Sequence, residues 1–334
     1  MSEAPAASEA AAPGGQDLLG PSADRREQVG TALVVGAVVI AVVIAVAVTP
    51  NFLSVDNVRA ILRNAAIVGI VAVAMTPITL SGNFLSLGTQ QSAMAATVLF
   101  VAMVGAGWVP ALAIVIVVVA LLVAGVIQGV VVAAGLNPII TTLAAGAIIF
   151  GIVADATDGQ VVRVGEHAVA WGNSTIAGIP LEVLVFVAFT IAVGTFMARS
   201  VPGREMMLAG ANRDTAEVSG ISFRRVTIGA FAIFSIGLAI AGVLTGAGFG
   251  EANIQSLNAL TIDSLAAILV GGTAITGGYG SPWRSAGGAV LIAVISNVMV
   301  LNDFSTGGRL AVQGAVVVIV VILLELLRRR QEVR

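Results

Sequence analysis

Between Arg63 and Asp155 the chain carries no Asp, Glu, Lys or Arg, so residues 64–154, 91 in a row, have no formal charge. No water-soluble surface can be assembled from such a stretch, because a soluble domain carries about 25% charged residues. A bilayer hydrocarbon core takes about 20 apolar residues per helical crossing, so the stretch holds roughly four crossings joined by tight turns. Turn residues divide it at Ser81-Gly82-Asn83, at Gly105-Ala106-Gly107-Trp108-Val109-Pro110 and at Gly135-Leu136-Asn137-Pro138. Helices are expected over 60–80, 88–104, 110–133 and 138–154.

The rest of the chain agrees. Of its 334 residues 58% are hydrophobic and 10% charged, with a mean hydropathy of +1.04. Residues 1–28 are Ala/Pro/Gly/Ser-rich and read as a disordered cytoplasmic tail rather than a signal peptide. Gly30 to Val48 is an uncharged run, about 29 Å long as a helix. After the polar stretch 155–179, further helices are expected over 180–198, 226–247, 260–276, 285–301 and 309–327, closed by Arg328-Arg329-Arg330. The fold class is therefore an all-α integral membrane protein of about ten transmembrane helices, with its transmembrane body at 29–328 and a short cytoplasmic tail at 329–334. Charge supports an even count of crossings within 64–154. With the N-terminus inside, 12 of the 16 Arg face the cytoplasm, including the five of 199–225 (Arg199, Arg204, Arg213, Arg224 and Arg225). Both termini are then cytoplasmic.

Several functions are excluded. The chain has no Cys and one His, His167, so disulfides and His-based metal clusters are out. All 16 basic residues are Arg; without Lys there is no Walker A loop, and ATP hydrolysis by this chain is not expected. A net charge of −2 offers no footprint for nucleic acid. No cofactor is expected.

Two helices end in matching breaks. Helix 60–80 leads into Ser81-Gly82-Asn83-Phe84-Leu85-Ser86-Leu87-Gly88, and helix 260–276 into Gly277-Gly278-Tyr279-Gly280-Ser281-Pro282-Trp283. Taken as crossing in opposite directions, they form the pattern of an inverted-topology repeat, in which broken segments mark a transport path. Asn83, Phe84, Ser86, Thr273 and Thr276 flank these breaks and are the candidate path residues. The glycines at 271–272, 277–278 and 280 lie between membrane helices, so they suit close packing rather than a nucleotide loop. Neutral side chains such as Gln128, Asn297 and Gln313 within the spans suit a neutral hydroxylated solute. No buried chain of Asp, Glu, His or Arg is evident, as an ion-coupled carrier would need.

Between spans lies Leu208 to Val226. Asn212 can cap a short helix, Asp214 suits its first turn and Gly220 ends it. A short amphipathic helix there is a handle on which another protein can push. His167 reads as a solvated surface residue, Trp171 as an interfacial anchor, and Arg163 and Glu166 as contacts for an external protein.

Four stretches, in order, resemble the bacterial ABC importer permeases of the ribose/xylose type. They are Asn51-Phe52-Leu53-Ser54-Val55-Asp56-Asn57, Leu136-Asn137-Pro138-Ile139-Ile140-Thr141-Thr142-Leu143, Gly210 to Val226, and Ala266 to Ser281. The likeness spans about residues 30–327. It departs where the family has an acidic residue after the second span; here Phe84 or Leu85 stands, which leaves the solute open. The resemblance implies a permease that pairs with a second copy, two ATP-binding cassette subunits and an extracytoplasmic binding protein in the bacterial inner membrane. Gly210, Asn212, Arg213, Asp214, Glu217, Ser219 and Gly220 would then couple to the ATPase, and Arg163 and Glu166 would dock the binding protein. A monosaccharide or related polyol is the expected solute. The alternatives are a same-family permease for nucleosides or another small solute, and an ion-coupled secondary carrier. An amino acid would need charged partners in the path.

Overall fold

The computed structural model describes residues 21–165 and 170–332. Twelve α-helices cover most of them: α1 (Pro21–Val48), α2 (Val55–Leu80), α3 (Thr89–Gly105), α4 (Pro110–Ala133), α5 (Pro138–Ala156), α6 (Leu181–Arg199), α7 (Val201–Ala211), α8 (Arg213–Val218), α9 (Phe223–Phe249), α10 (Leu260–Val270), α11 (Pro282–Leu301) and α12 (Thr306–Glu332). Among the described residues, sheet is confined to four two-residue strands. Of these β1 (Val162–Arg163) pairs antiparallel with β4 (Glu251–Ala252), and β2 (Thr175–Ile176) with β3 (Ile179–Pro180). Seven of the described helices are long and apolar enough to cross a membrane. Three more apolar helical segments are shorter: α3, α10 and Gly307–Ile319 within α12.

Some expected boundaries move. The first helix reaches back to Pro21, so residues 21–28 belong to it rather than to a tail, while 1–20 lie outside the described residues. The last helix runs on to Glu332. Helix α10 stops at Val270, not at 276. Its 11 residues span about 17 Å, short of a bilayer core. Gly271 caps it, and the Gly272 amide turns back to Leu269 as that glycine enters the left-handed region at φ +73°.

Helices α2 and α9 form the centre. Within their membrane-length windows 78% and 67% of residues are buried, against 11% for α1 and 17% for α5. The outer helices instead expose apolar rows such as Val35, Val39 and Val43 of α1 or Leu112, Val115 and Val119 of α4. Lipid is as apolar as these side chains, so burying them against protein gains little, and helices associate through close contact of small residues. Helix α4 shows the device in Gly125-Val126-Ile127-Gln128-Gly129. A Cβ at Gly125 would overlap the Ser235 hydroxyl, and one at Gly129 would lie 3.0 Å from the Ile228 Cα. On its other sides α9 presents Gly237 to Ala74 of α2, and Gly242 to Ala93 and Ala96 of α3.

Polar ties fix the directions of packing. Asn57 and Asn297 exchange amide hydrogen bonds (3.1 and 2.8 Å) at one end of α2 and α11, and the Thr76 and Ser285 hydroxyls meet at 2.8 Å at the other. Those helices are antiparallel. Helices α2 and α10 run the same way: Ala60 and Asn64 stand beside Asn258 and Ile262 at one end, and the Gly278 amide donates to the Leu80 carbonyl (3.2 Å) at the other. The expectation that they cross in opposite directions is therefore corrected, and this helix pair is not an inverted repeat. Both breaks arrive at the same end of the bundle, together with α7 and α8.

At the opposite end side chains tie α2 to α6 and α9. Buried Glu182 pairs with Arg63 (3.6 Å), Arg63 donates to Asn173 (3.0 Å), and Asn173 donates to the Gly248 carbonyl (2.7 Å). Trp171 is half-buried and meets Phe100 edge-on at 6.2 Å, so it packs into the core instead of anchoring at an interface.

Replacing Gly129 with Leu forces α4 away from α9. Overpacking of this kind costs about 1–3 kcal/mol, and the thermal midpoint of the detergent-purified protein is expected to fall. Lipid-facing Val119→Leu, by contrast, is expected to leave the midpoint in place.

Candidate functional site

The segment 200–222 folds as two helices, of which the capping pattern predicts the second. Ser200 caps α7 by accepting from the Gly203 amide (3.0 Å). Asn212 then ends α7 and caps α8, accepting from the Thr215 amide (3.0 Å). Ser219 caps the C-terminal end of α8, and Gly220 turns the chain away at φ +81°. On α8 Ala216 alone is buried; Asp214, Thr215, Glu217 and Val218 are exposed, Val218 to 91%. Arg213 is partly engaged already. Its guanidinium lies 3.8 Å above the Phe223 ring, and its Nε lies 3.4 Å from Glu217. Asp214, Thr215 and Val218 are thus the open positions of the helix.

Helix α7 delivers this surface onto both breaks. A Cβ at Gly210 would overlap the Leu80 carbonyl oxygen and lie 2.8 Å from the amide nitrogens of Gly82 and Gly278. Gly82, Gly277 and Gly278 all take positive φ (+77°, +94° and +72°), a conformation that side chains resist. Four glycines therefore let three backbones touch: the α2–α3 break, the α10–α11 break and the end of α7. The breaks meet as the sequence suggests, but their contact is made of main chain.

The predicted path residues divide accordingly. Asn83 is buried and donates to Ser81 (3.0 Å) and to Thr227 of α9 (3.1 Å), so it clamps the first break onto the central helix. Thr273 is buried within 3.4 Å of Ser285, extending the Thr76–Ser285 contact into the second break. Ser86 is buried, and its hydroxyl has no hydrogen-bond partner among the described residues. Phe84 and Thr276 are exposed. At the opposite end Arg163 forms an ion pair with Glu251 at 3.0 Å across the β1–β4 pairing. Glu166 and His167 lie outside the described residues.

Charge inside the bundle exceeds what the sequence reading expects. Among the described residues Glu182, Asp263 and Arg284 are each buried. Arg284 lies under the second break, donating to the Tyr279 hydroxyl (3.1 Å) and stacking on its ring at 4.7 Å. Asp263 borders a cavity of 390 Å³ between α2, α10, α11 and α12, at the end away from α8. Asn64, Asn258, Ser296, Arg309 and Gln313 share its wall. No sequence motif marks this cavity, because its polar residues come from four separate helices and from the turn before α10.

Asn83→Leu leaves the buried Thr227 hydroxyl without its donor, a loss of roughly 1–3 kcal/mol. A lowered thermal midpoint, partly restored by Asn83→Gln, is the expected result.

Comparison with known proteins gives one family across most of the chain. Residues 57–321 match the family described as the branched-chain amino acid transport system / permease component. The ribose import permease protein RbsC of Haemophilus influenzae is 29% identical over 289 residues, covering 84% of this chain and 88% of that protein. The probable ABC transporter permease protein YphD of Escherichia coli is 30% identical, covering 80% of this chain and 81% of its own length. The xylose transport system permease protein XylH of Escherichia coli is 32% identical over a shorter 148 residues. No solved structure matches. The family match spans well over half of the sequence and runs from the start of α2 into α12, so this chain belongs to the permease components of ABC transporters.

Proposed function

We propose that the chain is the membrane-spanning subunit of an ABC importer that moves a monosaccharide or related polyol by ATP-driven alternating access. The observation that carries this reading is the seating of α7: its C-terminal end leads through Asn212 directly into the exposed helix α8, and its Gly210 rests on both breaks at once. A push on α8 then reaches Leu80, Gly82 and Gly278 without passing through a flexible linker. Ribose and xylose permeases among the relatives support the solute class.

In this reading two ATP-binding cassette subunits grip α8, one on each of two permease copies, and supply the hydrolysis. Asp214, Glu217 and Val218 meet the ATPase. Asn212, Ser219 and Gly220 shape the helix, and Gly210 passes its motion on. The Arg-rich end holding 199–225 faces the cytoplasm with both termini, because basic residues favour that side. The β1–β4 pairing, with Arg163, faces outward and receives the solute-binding protein. The chain then crosses about ten times, with α3 and the short α10 among the crossings. Asn83, Ser86, Thr273 and Thr276, with Phe84, border the inner gate where the breaks meet.

Reconstituted with its ATPases and binding protein, Asp214→Arg is expected to lower solute-stimulated ATP hydrolysis tenfold or more, the change that about 1.4 kcal/mol of docking energy gives. Glu217→Arg should act likewise while the protein stays inserted and folded. Gly210→Ala should separate the two activities, keeping ATPase docking but losing uptake. Wild-type stimulation in both α8 variants would remove the coupling role.

A further inference from the structure

The two ends of the bundle differ in what they leave unsatisfied. At the α8 end the backbones meet and close. At the other end the cavity between α2, α10, α11 and α12 holds acceptors with nothing to accept from. Asp263 is 7% exposed, yet its Oδ1 has no hydrogen-bond partner among the described residues. The same holds for Oε1 of Gln313, 3% exposed. A buried acceptor is unfavourable until a donor arrives, so the site is complete only with something that brings hydrogens.

We infer that this cavity is the solute-binding site of the permease on the side away from the ATPases, and that it takes a neutral polyhydroxylated solute of monosaccharide size. The assignment rests on the importer reading above and deepens it. Asp263 and Gln313 accept from the solute's hydroxyls, and each hydroxyl oxygen can in turn accept from the amides of Asn64 or Asn258 or from Arg309. Arg309 and Gln313 stand in the same wall as Asp263, so the site offers a cation and an amide beside the carboxylate. The volume of 390 Å³ falls in the range of small-molecule sites, roughly 300–1,000 Å³. The reciprocal amide pair Asn57–Asn297 stands at the wall and ties α2 to α11, so the cavity is formed before a guest enters.

The sequence supplies a clean probe, since the chain has no cysteine. In the complete importer, with ATPases and binding protein, the Asn64→Cys variant at the exposed rim is treated with a membrane-impermeant maleimide carrying a polymer tag, read as a mass shift of this chain. Modification from the outer side is expected, slowed about fivefold or more by millimolar D-ribose or D-xylose. In the otherwise native complex Asp263→Asn is expected to raise the KM for pentose uptake about tenfold, while the loop variant Asp303→Asn keeps the wild-type value. A thiol at position 64 that is not modified from outside, or is modified at an unchanged rate with pentose in a complex that imports pentose, overturns the cavity and leaves the importer reading standing. Slowing by L-leucine and not by pentose, in a complex that imports leucine alone, overturns the neutral-solute class and the proposed solute together.

Discussion

The structure depends on how closely backbones can approach where the hydrophobic effect is of little help. Lipid chains are no worse a neighbour for Val or Leu than another helix is, so association falls to dispersion contact and hydrogen bonds. Helix α9 collects that contact on three sides. It receives Gly125 and Gly129 of α4, and it offers Gly237 to α2 and Gly242 to α3. Each glycine removes a side chain that would hold two main chains apart. The Asn57–Asn297 pair and the Thr76–Ser285 contact then fix register, where unpaired polar groups would be unfavourable in hydrocarbon.

The same device changes purpose at the end where the two breaks meet. Around Gly82, Gly210, Gly277 and Gly278 the touching backbones belong to non-helical segments and to the end of α7. Main chain in contact with main chain transmits displacement with little slack, whereas a layer of long side chains would absorb it. Helix α8 is the reverse: nearly all of it is exposed, and Ala216 alone is seated. A rigid seat below and a free surface above are what a transmitted push requires. The cavity at the other end lies along α10 and α11, the helices that flank the second break, so both ends bear on the same pair.

Much of the architecture was legible because its signals are local. Uncharged runs of about 20 residues mark the long helices, and Asn212, Asp214 and Gly220 mark α8 by capping chemistry alone. The turn clusters within 64–154 fall where the chain does turn. Less was legible around α10. Its apolar composition continues past Val270, but consecutive glycines withdraw the helix before the hydrophobic pattern ends. Helix α7 was hidden because Arg204 and Glu205 give its segment the composition of a loop. A usable start signal does stand there: the capping hydroxyl of Ser200, followed by Val201-Pro202 with the proline in the first turn.

By itself the sequence determined that the chain lives in lipid, where its long helices lie, and that a capped helix stands in the Arg-rich segment, because hydropathy and capping act over a few neighbouring residues. Only the tertiary structure decided that α2 and α10 run in the same direction, that Asn83 is a clamp on Thr227, and that Asp263 shares a cavity wall with Asn64, Arg309 and Gln313. Those facts join residues far apart in the chain, 144 positions in the case of Asn83 and Thr227. No local pattern records such pairings, since they follow from which glycines let which helices come close.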